Sequence, residues 1–260
     1  MTPVLPSRKA FVLRAGSVAL VLAASTLCLA QSTPPPTTRF IVTLTQVKPD
    51  MLTEWLDLQK NEVNPAYKKA GISSCNVAVP VFGNTYEYLS IVPLDNYGVL
   101  DGGPILQRAL GPEAGARLTA KLRKCINGAR TYISTRQDDL SILADPKAPP
   151  LVSVTIRRRI VPGKAEENRN YIKNELLPVY KKAMAEGKIA GYQVSTRGLG
   201  ATLGEITTTT FLSKFADLEG GTALVKILGP AGAAKLNAKA VGLSTVVETV
   251  ARRRVADLSF

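Results

Sequence analysis

The 260-residue chain contains no histidine. That removes the side chain that titrates nearest neutral pH, the commonest protein metal ligand and the usual axial ligand of haem. Ser-His-Asp and Cys-His catalysis go with it. Cysteine is scarce, at three residues, and tryptophan occurs once, at Trp55. The glycines do not fall in a GxGxxG or GxxxxGK[ST] frame after a strand, so no phosphate loop is present. Gly111-Pro112 and its copy Gly229-Pro230 read as breaks between helical pieces, with proline at an early helical position.

Long apolar runs are missing beyond the N-terminus. Ala15 to Ala30 is apolar, follows Arg8, Lys9 and Arg14, and precedes Gln31. It falls short of the roughly 20 residues a membrane span needs. The layout is that of a signal peptide over residues 1–30, cleaved near Ala30. Leu27 stands before Cys28 where a lipoprotein signal normally carries a small residue. The expected product is an exported protein, periplasmic or secreted, without a membrane span. Residues 31–38, with Pro34, Pro35 and Pro36 in a row, read as a Pro-rich tether. Removing the signal leaves 30 Lys and Arg against 20 acids. No helix-turn-helix, zinc-finger or aromatic RNA-binding motif accompanies this charge, and export argues against an intracellular nucleic acid. The charge reads as a solvated surface, with no nucleic-acid partner.

What the chain does have is a duplication. Leu100–Ser141 slides onto Leu218–Ser259 without a gap, with 16 identities in 42 positions. An earlier block, Asn61, Glu62, Pro65 and Tyr67 to Ala70, recurs as Asn174, Glu175, Pro178 and Tyr180 to Ala183. The first match has an offset of 118 and the second of 113, which places five extra residues near Met184–Lys188. The repeats cover residues 39–143 and 151–260, joined by a Pro-containing linker at 144–150.

Each repeat reads as βαββαβ. Phe40, Val42 and Leu44 alternate with polar neighbours, as a half-buried strand does. A helix follows from Pro49 to about Ala70, then two β-rich runs joined at Gly83-Asn84, helical pieces around Gly111-Pro112, and a last strand ending at Arg136. Repeat two follows the same course. This is the ferredoxin-like order, an α+β unit whose antiparallel sheet carries helices on one face. Two units can cover each other's bare faces, so the expected architecture is two sheets packed face to face as an intrachain α/β barrel.

The element order, with Pro-x-Tyr-Lys-Lys at Pro65–Lys69 and Pro178–Lys182, resembles the dimeric α/β-barrel superfamily. That superfamily includes stress-responsive barrels, NIPSNAP-like proteins and small cofactor-free monooxygenases. Most of its members pair two chains; the resemblance implies that one chain supplies both halves here, as a monomer.

Paired positions give the site candidates. Tyr67 and Tyr180 correspond, and each either binds a ligand or anchors its helix with ring in the core and hydroxyl at the surface. Glu87 and Glu205 begin the third strands and form either an acid/base or cation pair, or cross-strand ion pairs at the rim. Aligning Val42-Thr43-Leu44 with Val154-Thr155-Ile156 sets Thr43, Thr45, Thr155 and Arg157 on one face, with Arg157 able to neutralise a glutamate. The triplets Arg157 to Arg159 and Arg252 to Arg254, which alternation keeps from forming one continuous patch, either collect an anionic ligand or are exposed strand ends. Cys75 and Cys125 fall at opposite ends of the predicted unit, too far apart for a disulfide.

No cofactor or metal site is read from this pattern. The expected function is binding of a small ligand or partner without catalysis. The alternatives are a cofactor-free monooxygenase-like enzyme, drawing on Trp55, Asn61, Tyr67 and Glu87, and a structural or stress-linked protein with a filled barrel. Trp55 has no aromatic counterpart, because Asn168 takes its place in repeat two.

Overall fold

Eight strands form the centre of the molecule: β1 (Arg39–Val47), β2 (Asn76–Pro80), β3 (Glu87–Leu94), β4 (Ile126–Arg136), β5 (Val152–Ile160), β6 (Gly191–Arg197), β7 (Glu205–Leu212) and β8 (Ser244–Arg254). The computed structural model describes residues 38–260. The expected signal peptide, and the tether up to Thr37, lie outside the described residues. Within the repeats the sheet orders are β4-β1-β3-β2 and β8-β5-β7-β6, all pairs antiparallel. The two sheets join at their edges. Ala78 to Pro80 of β2 pair with Arg252 to Arg254 of β8, and Ser134 to Arg136 of β4 pair with Ser195 to Arg197 of β6. These seams close one eight-stranded barrel, which removes the unpaired edges that each sheet would present alone. Each sheet's inner face therefore lines a shared lumen, and its outer face is covered by the helices of its own repeat.

The register of the duplication follows from the pairing. Arg39 pairs with Leu94 and Val152 with Leu212, so Arg39 corresponds to Val152 and the helix offset of 113 runs through the first strand. The alignment of Val42-Thr43 with Val154-Thr155 is one residue out. Side chains alternate across a strand, so that slip exchanges the faces of every residue on it. The true counterpart of Thr155 is Val42, and that of Arg157 is Leu44. Asn76 pairs with Ile91, and Gln193 with Thr209, the counterpart of Ile91. The five extra residues of repeat two therefore divide as four before β6 and one in the β6–β7 hairpin.

The long helix of each repeat changes pitch once. In repeat one, Leu52–Leu58 leads into a π-helical turn, Gln59–Val63, and resumes as Asn64–Lys69. In repeat two, Ala165–Tyr171 leads through Ile172–Leu176 to Leu177–Ala185. The Asn64 N–H donates to the Gln59 carbonyl, and the Leu177 N–H to that of Ile172, both five residues back. Pro65 and Pro178 sit one residue further on. Proline has no N–H to continue the ladder, and the widened turn absorbs that loss without ending the helix. The second helical layers break at Gly111 (φ 86°) and Gly229 (φ 71°), each followed by proline. Two cores result, one per repeat, between sheet and helices.

Candidate functional site: one lumen and two outer pockets

The lumen is polar. Arg157, Arg197 and Arg252 point into it from β5, β6 and β8, and share it with Glu87, Glu205 and Glu248. Glu205 is the most enclosed of these, its side chain wholly shielded from solvent. Arg157 Nη1 donates to both of its carboxylate oxygens at 3.1 and 3.2 Å, Arg159 Nη2 at 3.3 Å and Arg197 Nη1 at 3.1 Å. Burial alone would raise the Glu205 pKa; the hydrogen bonds from Arg157 and Arg159 and the charges of Arg157 and Arg197 hold it below the ordinary carboxylate range. Glu87 is looser, a third exposed, with Arg252 Nη2 at 3.4 Å. Thr155 faces the lumen and meets Thr209 at 3.0 Å between hydroxyls.

Arg157 and Arg252 are therefore not exposed strand ends. The two triplets lie on adjacent strands but at opposite ends of the pairing, because Arg252 meets Ser153 while Arg157 meets Glu248.

Outside the sheet, each repeat has a pocket beneath its helices. The first, about 170 Å³, is lined by Thr43, Trp55, Tyr67, Cys75 and Tyr88. Trp55 and Tyr88 both line it, their rings 4.5 Å apart. Thr43 belongs here, on the face opposite to Thr155, and pairs with Thr131 at 3.0 Å. Burial, with a smaller contribution from Cys75, pushes the Tyr67 hydroxyl up to about 12, and burial pushes the Cys75 thiol up to about 11. Both stay protonated at neutral pH. Cys75 and Cys125 are buried free thiols.

The second pocket, about 530 Å³, is three times larger. Asn168 stands where Trp55 stands in repeat one, and Ile206 where Tyr88 stands, so the aromatic pair that fills the first pocket is missing from the second. Its wall carries three tyrosines. Tyr180 stacks on Tyr192, centroids 3.8 Å apart and rings 14° from parallel. Tyr171 donates its hydroxyl to the Leu236 carbonyl at 3.0 Å. Burial raises all three hydroxyls, Tyr171 to about 12 and Tyr192 well above its ordinary value. The Tyr192 hydroxyl and the Ser244 Oγ are buried without a hydrogen-bond partner among the described residues. The Thr208 hydroxyl lies near enough to ease the Tyr192 shift slightly, but makes no hydrogen bond of normal geometry with it. Arg158, directed outward between Arg157 and Arg159, lends positive charge to the same pocket.

The seven residues singled out by correspondence thus divide among three places. Glu87, Glu205, Thr155 and Arg157 meet in the lumen, Thr43 and Tyr67 in the first outer pocket, and Tyr180 in the second. Neither Tyr67 nor Tyr180 carries its hydroxyl to the surface. Arg197, Arg252, Tyr192 and Ser244 were not singled out individually, because their counterparts are Pro80, Ser134, Cys75 and Ile126 and no repeated signal marks them. Among the described residues no cluster of three or more potential metal ligands occurs, and no helix is long and apolar enough to cross a membrane.

No described protein family and no curated protein matches the sequence. Solved structures do match the shape. A provisionally named monooxygenase from Fusobacterium nucleatum superposes with a TM-score of 0.59 at 11% identity, covering 85% of this chain and 94% of its own. One from Lactobacillus acidophilus gives 0.56 at 10% identity, with 86% and 95% covered. An anthrone oxidase-like protein gives 0.54 at 11% identity, with 84% and 91% covered. The fold is a tandem dimeric α/β barrel. At these identities the likeness concerns the fold alone.

Proposed function

We propose that this protein is an exported barrel that binds a small, largely planar organic anion in the outer pocket of its second repeat, without chemical turnover. The observation that carries this is the pair of unpartnered buried hydroxyls, Tyr192 and Ser244, in a pocket of ligand size. A buried hydroxyl without a partner costs about 1–3 kcal/mol, and a ligand acceptor would recover that cost. The stacked tyrosines supply a flat apolar wall, and Arg158 supplies the charge. All three tyrosines stay protonated across the neutral range; Tyr171 spends its proton on the Leu236 carbonyl, and Tyr192 keeps its own for an acceptor-bearing guest.

The same donors bear on the second reading, a cofactor-free monooxygenase, which the names of the structural neighbours favour. Tyrosine hydroxyls can stabilise an oxyanion developing on a bound ligand. Such a reaction must first take a proton from the substrate, and the pocket wall holds no carboxylate, lysine or histidine to accept it. The raised tyrosine pKa values rule those side chains out as bases near neutrality. A histidine-ligated haem does not fit a chain without histidine, and the wall offers no cysteine or methionine in its place.

Calorimetric titration of the mature chain with 2-naphthoate tests the binding reading. Tyr192→Phe and Ser244→Ala should each weaken binding by roughly tenfold; unchanged affinity in both would remove the pocket from consideration. Oxygen uptake with anthrone as probe tests the enzyme, and the expected rate equals that without protein. N-terminal sequencing of the exported protein, expected to begin at Gln31, tests the export reading.

A further inference from the structure

The lumen poses a separate problem. Arg197 and Arg252 are both more than nine-tenths buried, with side chains 4% and 7% exposed. Each directs one terminal nitrogen to a carboxylate, Arg197 to Glu205 and Arg252 to Glu87. The Nε–H of each is buried and has no partner among the described residues. Orphaned donors on charged groups are rare in folded proteins and point to an unrecorded partner.

The internal symmetry relates the two seams on which they stand, but not the two arginines themselves. Arg197 sits opposite Ser134 on the β4–β6 seam, and Arg252 opposite Pro80 on the β2–β8 seam. In the duplicated register Pro80 corresponds to Arg197, and Ser134 to Arg252. Each seam thus presents one inward arginine against one uncharged residue, but the arginine stands on the hairpin strand at one seam and on the terminal strand at the other. The duplication alone would have repeated one position; here two different positions have become arginine.

The charge balance agrees. Seven arginines (Arg130, Arg136, Arg157, Arg159, Arg197, Arg252 and Arg254) line the lumen or reach its three glutamates (Glu87, Glu205 and Glu248); with Arg136 paired to Asp138, three positive charges remain in excess. Tyr132 lies among them with Arg197 Cζ 4.0 Å above its ring. The cavity between the seams measures about 320 Å³, and at one end Arg159 and Glu248 are about half exposed, which leaves a way in.

We propose that the barrel lumen is a second binding site, which takes a small oxyanion (phosphate, sulfate or a carboxylate) on the Nε–H groups of Arg197 and Arg252. Both arginines line the same cavity, an oxyanion accepts charge-assisted hydrogen bonds from guanidinium N–H groups, and its charge offsets part of the excess.

The test uses the full mature chain with ¹⁵N-labelled arginine. Sulfate, phosphate and acetate are titrated in turn against chloride at equal ionic strength, reading the Arg197 and Arg252 Nε–H resonances and the melting temperature. The expected result is a saturable shift of both resonances and a melting temperature raised by several degrees, with chloride giving neither. A response to sulfate and phosphate alone assigns a tetrahedral oxyanion; a response to acetate alone assigns a carboxylate. Arg252→Gln, whose partner Glu87 is already partly solvated, should fold and lose the melting-temperature rise and the Arg197 resonance shift. Resonances that no anion moves, or a melting-temperature rise that survives unchanged in Arg252→Gln, overturn the proposal. Binding of 2-naphthoate to the outer pocket should be the same in Arg252→Gln, so failure of one site does not imply failure of the other.

Discussion

The two repeats share their order of elements and their helix irregularities, yet only the first narrows its outer pocket with an aromatic pair and only the second encloses its glutamate. Repeat one holds Trp55 against Tyr88 in a small pocket and leaves Glu87 partly solvated with one distant arginine. Repeat two holds Asn168 and Ile206 at the aromatic positions, opens a pocket three times larger, and buries Glu205 under three arginines. The fold therefore tolerates either a packed or an open outer pocket. It depends on the lumen charges more in one half than in the other.

The sharpest way to break this comparison is at the glutamates. Glu205→Gln should destabilise the protein by about 3–5 kcal/mol, because three arginines lose a buried counter-charge. Glu87→Gln should cost less, about 1–3 kcal/mol, because Glu87 is partly solvated while its partner Arg252 is buried. Urea unfolding at pH 7 measures both. The Glu205 contribution has a definite pH dependence. Its folded pKa is depressed, so the contribution is fully present above the unfolded value of about 4.3 and is lost as pH falls through the folded value. Between pH 6 and pH 3 the native protein should lose stability more steeply than Glu205→Gln. Parallel slopes would mean that other groups drive acid unfolding.

The aromatic exchange comes next. Trp55→Ala should cost about 3–5 kcal/mol by emptying a packed pocket. Asn168→Trp should carry a smaller penalty, about 1–3 kcal/mol at most, since the ring enters existing space. It should also abolish 2-naphthoate binding. A folded Asn168→Trp protein that still binds the probe at full strength would place the ligand elsewhere.

The sequence made some of this legible and hid the rest for physical reasons. The repeated Gly-Pro breaks and the Pro-x-Tyr-Lys-Lys helix were enough to place all eight strands in order, because insertions fall in loops and leave identities in register. The contrast between Trp55 and Asn168 was also visible. The lumen was not. Alternating apolar and polar residues ordinarily mark a core face and a solvent face, but in a closed barrel the polar face of β5 and β7 turns inward. Thr155, Arg157 and Thr209 therefore look the same in sequence as residues on a wet surface. The strand register failed for a different reason. Val-Thr-Leu and Val-Thr-Ile match letter for letter one residue away from the true correspondence, and a period of two gives no warning of a slip. The helix offset of 113, carried back into β1, would have matched Leu44 rather than Thr45 to Arg157.

That register supplies the smallest test. Thr43 and Thr155 make the same kind of bond, each to a threonine directly across an antiparallel pair at 3.0 Å, but one pair faces the outer pocket near solvent and the other faces the lumen. Replacing a hydroxyl by a methyl leaves the partner hydroxyl unsatisfied, and the cost depends on whether water can reach it. Thr155→Val should cost about 1 kcal/mol, and Thr43→Val within about 0.5 kcal/mol of nothing. If the two were interchangeable by symmetry, as the slipped alignment implies, the two substitutions would cost the same. Unequal urea midpoints with equal slopes would establish that the faces differ, and with them the assignment of every inward and outward residue on β1 and β5.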